Sequence, residues 1–159
     1  MKLTKPDRER IEAILAELKA HASLHRMREY VQHGSVSTYD HCERVARLSY
    51  WLNRRLHLHA DERVLLRGAM LHDFYLYDWH ENDDSHRWHG FTHAAVAREN
   101  AARHFHIGRR EKQVIESHMW PLTLTRLPRS REAWIVCLAD KWCSLQETLL
   151  MRDGRKPRE

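Results

Sequence analysis

The chain has 159 residues, of which 27 are Lys or Arg and 22 are Asp or Glu, giving a formal net charge of +5. This length suits one domain with a buried core, and no apolar run approaches the roughly 18 residues that cross a bilayer, so membrane-spanning classes are excluded. The three cysteines lack CxxC spacing, which excludes a disulfide framework and, together with a charged N-terminus, predicts a cytoplasmic protein.

Helical periodicity of the apolar residues runs along nearly the whole chain and predicts an all-α fold of six or seven helices. The first predicted helix covers residues 7–20, with one stripe formed by Ile11, Ile14, Leu15 and Leu18. Residues 37–40 are typical of a helix start, because a capping hydroxyl is followed three residues later by an acid. The helix that follows is predicted to bury the face that carries His41, Val45, Leu48, Leu52 and Leu56.

Four further helices are predicted in the second half, over residues 61–77, 90–105, 109–119 and 130–150. A polar loop over residues 80–88 separates the first two, and Pro121 ends the third. The last helix carries apolar residues at Trp134, Leu138, Leu145 and Leu149. Since no convincing strand pair appears, we predict one helical domain over residues 1–151, followed by a disordered basic tail over 152–159.

The most informative feature is His72 followed directly by Asp73, at the end of the apolar run 64–71. A carboxylate carried into an apolar interior needs a charged partner or a metal ion. Further His and Asp residues follow at helix-scale intervals, and neutral imidazole together with carboxylate suits Fe, Mn, Zn and related divalent ions. The sequence therefore predicts a metal site between packed helices, built from His41, His72, Asp73, His93, His118 and Asp140.

The order of these residues resembles the HD superfamily of metal-dependent hydrolases, many of which are phosphohydrolases. The resemblance covers residues 35–147, and it is carried by residues 37–46, 69–73 and 138–141. It implies a single HD-domain helical bundle with two metal ions, of which Fe or Mn is favoured, with Zn, Ni or Mg as alternatives. It also implies that the first ion is held by His41, His72, Asp73 and Asp140. Asp73 would then bridge to a second ion held by His93 and His118.

Two histidines compete for one ligand position in this resemblance. His89 and His93 are four residues apart, so both can face the same ion if the helix already begins at 89. The family pattern places small residues one and four positions after the ligand, here Ala94 and Ala97. This favours His93 as the ligand and leaves His89 beside the ligands or facing the substrate.

Two cations are candidates for contact with a substrate phosphate. Many HD phosphohydrolases have a lysine three residues after the His-Asp pair, where this chain has Leu76. Lys141 directly follows Asp140, and Arg44 lies three residues after His41, so either cation is placed to meet a bound phosphate. Ion pairs with other side chains are the alternative role for both.

The resemblance implies a hydrolase that acts on a small phosphate ester or a nucleotide through water activated by the metal. Asp73, Lys141 and Arg44 are the predicted catalytic residues. A small phosphorylated molecule is the expected partner, and a nucleic acid is not expected, because much of the basic charge lies at the chain ends. Two alternatives stay open: a di-iron oxygenase of the HD type, and a non-catalytic regulatory module that binds a nucleotide or RNA. The substrate and the oligomeric state are not predicted.

Overall fold

The computed structural model of the protein describes residues 1–33, 35–78 and 89–152, with only the backbone at residues 33, 89 and 150–152. Helices dominate these residues, so the predicted all-α fold is confirmed. The described part contains seven α-helices: α1 (Lys5–Lys19), α2 (Ala22–His25), α3 (Thr38–Arg55), α4 (Glu62–Leu71), α5 (His89–His104), α6 (Arg109–Ser117) and α7 (Arg131–Arg152). The predicted loop over 80–88 and residues 153–159 of the predicted tail lie outside the described residues, whereas Arg152, the first residue of that tail, is the last residue of α7.

A short antiparallel sheet lies between α2 and α3, and the expectation of no strand pair was therefore wrong. After a 3-10 turn at Arg26–Glu29, β1 (Val31–His33) pairs with β2 (Val36–Ser37). Strands of two and three residues are too short for an alternating pattern to reveal them. The sheet holds the Gln32 side chain in the interior, where only 8% of the residue is exposed.

The helix α3 begins where the sequence predicts but buries a different face near its end, whereas α1 begins at Lys5, two residues before the predicted start. The predicted stripe of α1 is buried, and the Ser37 hydroxyl accepts from the Asp40 N–H at 3.2 Å to start α3. The predicted burial of Leu56 was wrong, since this residue is 58% exposed. The helix ends at Arg55, and the buried face continues instead through Asn53, whose side chain bonds both backbone polar groups of Ala60.

The helix α4 lies at the centre of the fold, in contact with α1, α3, α6 and α7. Its predicted extension to residue 77 was wrong, because the helix stops at Leu71. Beyond it the chain makes tight turns, with the Phe74 N–H donating to the Leu71 carbonyl and the Tyr75 N–H to the Asp73 carbonyl. Leu76 then adopts a φ of 60°, which no α-helix accommodates.

A glycine permits α4 and α6 to approach closely just before both helices end. A Cβ added at Gly68 would lie 2.7 Å from Cγ1 and 2.9 Å from Cβ of Val114, which is fully buried. His72 lies four residues after Gly68, and His118 lies four residues after Val114. Because residues four apart stack on one helix face, this contact brings the two histidines together.

The helix α7 presents its large apolar residues outward. Its inner face is formed mainly by small or polar residues, among them Ala133, Val136, Asp140, Cys143 and Glu147. The four apolar positions named from the sequence are instead partly exposed: Trp134 (37%), Leu138 (59%), Leu145 (51%) and Leu149 (52%).

Two exclusions made from the sequence can be compared with the structure. All three cysteines are buried and free, so the described residues contain no disulfide. Within the same residues, no helix combines the length and the apolar character that a membrane span requires.

Replacing Gly68 by Ala is predicted to destabilise the fold by about 1–3 kcal/mol, because the new methyl group overlaps the buried Val114. Urea unfolding followed by circular dichroism measures this change. Gly90→Ala is the matched control, since among the described residues its Cβ would meet only Leu122 Cδ2, at an ordinary 3.5 Å; it should be neutral or stabilising by up to about 1 kcal/mol. Val114→Ala combined with Gly68→Ala should destabilise less than the two single changes added together. A Gly68→Ala protein as stable as the parent would contradict the close contact.

Candidate metal centre

The six side chains predicted as metal ligands meet in one pocket. All are buried, and the most accessible of them is 7% exposed. They come from five helices or helix ends, so tertiary packing assembles the pocket. The contributing residues are His41 on α3, His72 and Asp73 at the end of α4, His93 on α5, His118 at the end of α6 and Asp140 on α7.

His72 and His118 are held in the same way at the ends of two helices. Each residue caps its helix, and each Nδ1 donates to the carbonyl three residues earlier, at Ala69 and Ile115, over 2.7 Å in both cases. The last carbonyls of a helix lack partners inside the helix, so these bonds satisfy them. A neutral imidazole that donates from Nδ1 has a lone pair at Nε2. In its neutral form each ring therefore presents an Nε2 lone pair to the pocket.

The Oδ2 atom of Asp73 faces a first group of donor atoms. It lies 3.4 Å from His72 Nε2 and 4.0 Å from His41 Nε2. Asp140 Oδ1 lies beside the same two imidazoles, at 3.2 Å from His41 Nε2 and 3.6 Å from His72 Nε2. Two imidazoles and two carboxylates thus form one compact set.

The other oxygen of Asp73, Oδ1, faces a second group. It lies 3.3 Å from His93 Nε2 and 3.4 Å from His118 Nε2, and these two nitrogens are 3.0 Å apart. His118 is also close enough to His72 and Asp140 to share an ion with them. The two groups therefore adjoin, and Asp73 has one oxygen in each.

Two atoms at the centre of the pocket have no hydrogen-bond partner among the described residues: His72 Nε2 and Asp73 Oδ1. A buried polar atom left in this way costs roughly 1–3 kcal/mol. When the His72 ring is neutral, both atoms are acceptors and neither satisfies the other, whereas a cation satisfies both. Ligands about 2.1 Å from one ion lie about 3–4 Å from each other, and the distances within each group, 3.0 to 4.0 Å, fall in that range. The residues therefore fit divalent metal ions.

The charges in the pocket also favour cations. Burial alone would raise the pKa of Asp73, but the imidazoles around it hold that pKa well below its usual range. The pKa of Asp140 is lowered in the same way, against its burial, by His41 and His72. Burial lowers the pKa of His118, while the pKa of His41 rises to about 10 despite burial, because Asp140 and Glu147 bond its ring. Two ionised carboxylates thus draw positive charge into the interior.

A buried acid behind His41 was missed by the sequence analysis. Glu147 is fully buried on α7, and its Oε2 lies 2.8 Å from His41 Nδ1. Its other oxygen accepts from Arg44 at 2.9 Å. A carboxylate that accepts a hydrogen bond from Nδ1–H fixes the ring, and the Nε2 lone pair of the neutral ring is then directed at a metal ion. One signal in the sequence marked this residue, since Glu147 lies seven residues after Asp140 and hence on the same face of the helix.

A second buried contact acts on Asp73 itself. The Gln32 side chain donates from Nε2 to Asp73 Oδ2 over 2.6 Å. Its carbonyl accepts from the hydroxyls of Tyr75 (2.5 Å) and Thr38 (3.3 Å), which fixes the orientation of the amide. A carboxylate oxygen has two lone pairs, so Oδ2 can accept from Gln32 and still face a cation. Nothing in the sequence singled out Gln32.

The two predicted phosphate-binding cations contact protein groups. Lys141 Nζ donates to the His118 carbonyl over 2.7 Å, and Arg44 pairs with Glu147 as described above. Lys141 therefore supports the predicted ligand His118, and Arg44 supports Glu147 behind His41; direct contact with a substrate stays a prediction. His93 takes part in the second group, whereas the side chain of His89 lies outside the described residues, so the choice between them rests on position alone.

Comparison with protein-family models agrees with this description of the site. A family model described as HD domain matches residues 38–144, which include all six predicted ligands but neither Gln32 nor Glu147. Searches of curated proteins and of solved structures found no match. The family match covers most of the chain, and its buried histidines and aspartates form the group of donors described above. The chain therefore belongs to the HD domain family.

Proposed function

We propose that the protein is a metal-dependent phosphohydrolase that uses two divalent ions, one on each side of Asp73. The observation that carries this proposal is that the two carboxylate oxygens of Asp73 face different histidines. Its Oδ2 faces His41 and His72, while its Oδ1 faces His93 and His118. A carboxylate with ligand nitrogens opposite both oxygens is suited to bridging two ions. When bound, such ions lower the pKa of water towards about 7 and polarise phosphoryl oxygens.

The charge of the site supports a phosphorylated substrate. Two divalent ions would bring four positive charges, and Asp73 and Asp140 contribute two negative charges. Glu147 is balanced by Arg44. The remaining two positive charges match a phosphate monoester, which carries close to two negative charges at neutral pH.

The chain's own residues orient the donor atoms and keep them ready. Bonds from Nδ1 to backbone carbonyls fix the rings of His72 and His118, and Gln32 fixes the carboxylate of Asp73. Lys141 holds the backbone at His118. Ligands held in place by such contacts lose little freedom when an ion binds.

The experiment that tests this proposal combines metal analysis with a substrate panel. Protein purified without chelator is analysed for metals by mass spectrometry, then assayed for phosphate release from nucleotides and small phosphate esters. We expect bound divalent metal and chelator-sensitive phosphate release. Metal-loaded protein that releases no phosphate and consumes oxygen with an added substrate would instead assign it to the oxygenase alternative.

Replacing Asp73 by Asn should remove metal binding and hydrolysis together, because the change keeps the shape but removes the charge shared by both groups. Metal content per chain should fall from about two to below one, and phosphate release should fall at least about 1,000-fold, a loss of roughly 4 kcal/mol of transition-state stabilisation. Asp40→Asn is the matched control, since this carboxylate precedes His41 but is exposed and bonds Ser37. A fully active, metal-loaded Asp73→Asn protein would refute the site.

Replacing Glu147 by Gln should weaken metal binding about 10–100-fold while the fold is kept. The amide oxygen can still accept from His41 Nδ1, but the negative charge that makes the ring a stronger ligand is lost. Competition with a chromophoric chelator measures the affinity. Glu9→Gln, which changes an exposed carboxylate paired only with Lys5 among the described residues, serves as the control. Equal affinities for the parent and the Glu147→Gln protein would show that Glu147 does not support the metal ligand.

A further inference from the structure

The outer face of α7 is apolar along most of its length. Between residues 132 and 149, all of them described, the only exposed polar side chain is Thr148. The charged Lys141 is half-buried and bonds the His118 carbonyl. The other exposed positions are Trp134 (37%), Leu138 (59%), Trp142 (55%), Leu145 (51%) and Leu149 (52%). We call these five residues the α7 stripe.

The α7 stripe is large for an exposed surface. Single exposed leucines are ordinary, but these five side chains form one row about 22 Å long. Their exposed fractions amount to roughly 500 Å², near the upper end for the largest apolar patch of a monomer. Trp120, half-buried, packs edge-on against Trp134 with the ring centroids 5.1 Å apart and widens one end of the row. A patch of this size indicates a surface that binds a partner.

The spacing of the α7 stripe makes it complementary to itself. Its members follow at steps of four, four, three and four residues, so the row reads nearly the same in both directions about a centre close to Trp142. Steps of three and four are also those of packed helix pairs. In an antiparallel pair around a two-fold axis, Leu138 would face Leu145 of the partner subunit, and Trp134 would face Leu149 of the partner subunit. Both copies of Trp142 would meet near the axis.

We propose that the α7 stripe pairs with the α7 stripe of a second copy of this chain, as an antiparallel helix contact with two-fold symmetry. Two such faces bury roughly 1,000 Å² in total, which is about the minimum for a specific interface and suits a dimer of moderate affinity. A closed two-fold contact uses the same patch on both subunits, as this spacing allows. A lipid surface fits less well, because interfacial helices carry lysines and arginines on the opposite face, whereas the opposite face of α7 is buried against the metal centre.

The dimer contact is independent of the proposed hydrolase function. Asp140 and Glu147 lie on the inner face of α7, and the α7 stripe lies on the outer face. Pairing of two copies therefore does not involve the metal centre, and residues of the α7 stripe can be replaced without changing a predicted metal ligand. Failure of either proposal leaves the other standing.

The test measures the mass of the full chain in solution by light scattering after size-exclusion chromatography, up to about 100 μM, where a Kd of roughly 1 μM gives mainly dimer. We expect the parent protein to be a dimer and Leu138→Glu to be a monomer with an unchanged circular dichroism spectrum and metal content. Leu56→Glu is the matched control, because Leu56 is equally exposed, at 58%, but lies beyond the end of α3. It should remain a dimer.

A charge pair tests the antiparallel arrangement. Combining Leu138→Glu with Leu145→Lys should restore the dimer, since each new carboxylate would face the new ammonium of the partner. Leu138→Glu with Leu145→Glu should stay monomeric. In a parallel arrangement like charges would meet and no rescue would occur, so absence of rescue overturns the proposed geometry.

Three further results would overturn the proposal. The first is a parent protein that is monomeric over the whole concentration range, and the second is a Leu138→Glu protein that remains dimeric. A monomer that binds vesicles of phosphatidylcholine and phosphatidylserine, and loses this binding in a Trp142→Glu variant, would assign the α7 stripe to a lipid surface.

Discussion

The arrangement around Asp73 is the constraint on which the rest of the structure depends. The buried carboxylate of Asp73 lies beside His72 and His118, whose Nδ1 atoms already donate to backbone carbonyls, so the neutral forms of these two rings turn lone pairs towards the carboxylate. Such a cluster is unfavourable unless positive charge enters it. The packing of α3, α4, α5, α6 and α7 holds these atoms 3–4 Å apart. Binding of metal ions would therefore relieve a free-energy cost that is present in the folded, metal-free chain.

The distances in the pocket follow from backbone contacts one turn away. Gly68 lets α4 approach Val114 on α6, and both helices end four residues later in a histidine. The Nδ1 atom of each histidine then donates to a carbonyl of its own helix, and this bond to the backbone fixes the position of the ring. The helix ends and the ligands thereby satisfy each other: carbonyls that would lack partners orient the imidazoles.

The sequence predicted the parts of the site that depend on local pattern. His72, Asp73 and Asp140 could be recognised because polar residues interrupt apolar helical runs, and the start of α3 could be recognised from its Ser37 cap. Gln32 could not, since only the path of a very short sheet brings it to Asp73. The end of α4 could not be predicted either. The apolar residues 74–77 follow His72 and Asp73 and extend the helical pattern, while the backbone turns away after Leu71. Periodicity describes which residues share a face, but tertiary contacts decide where a helix stops.

The helix α7 shows most clearly what periodicity leaves undetermined. Both of its faces carry apolar residues, so hydrophobicity alone cannot tell which face is buried. The inner face is the one with two acids, Asp140 and Glu147, because that face supplies a ligand and the support for another. Large apolar side chains that would usually fill a core are left on the outside. The two faces therefore suit different partners, cations on the inside and an apolar surface on the outside. The same helix can serve both the metal site and the proposed dimer because the two faces point in opposite directions.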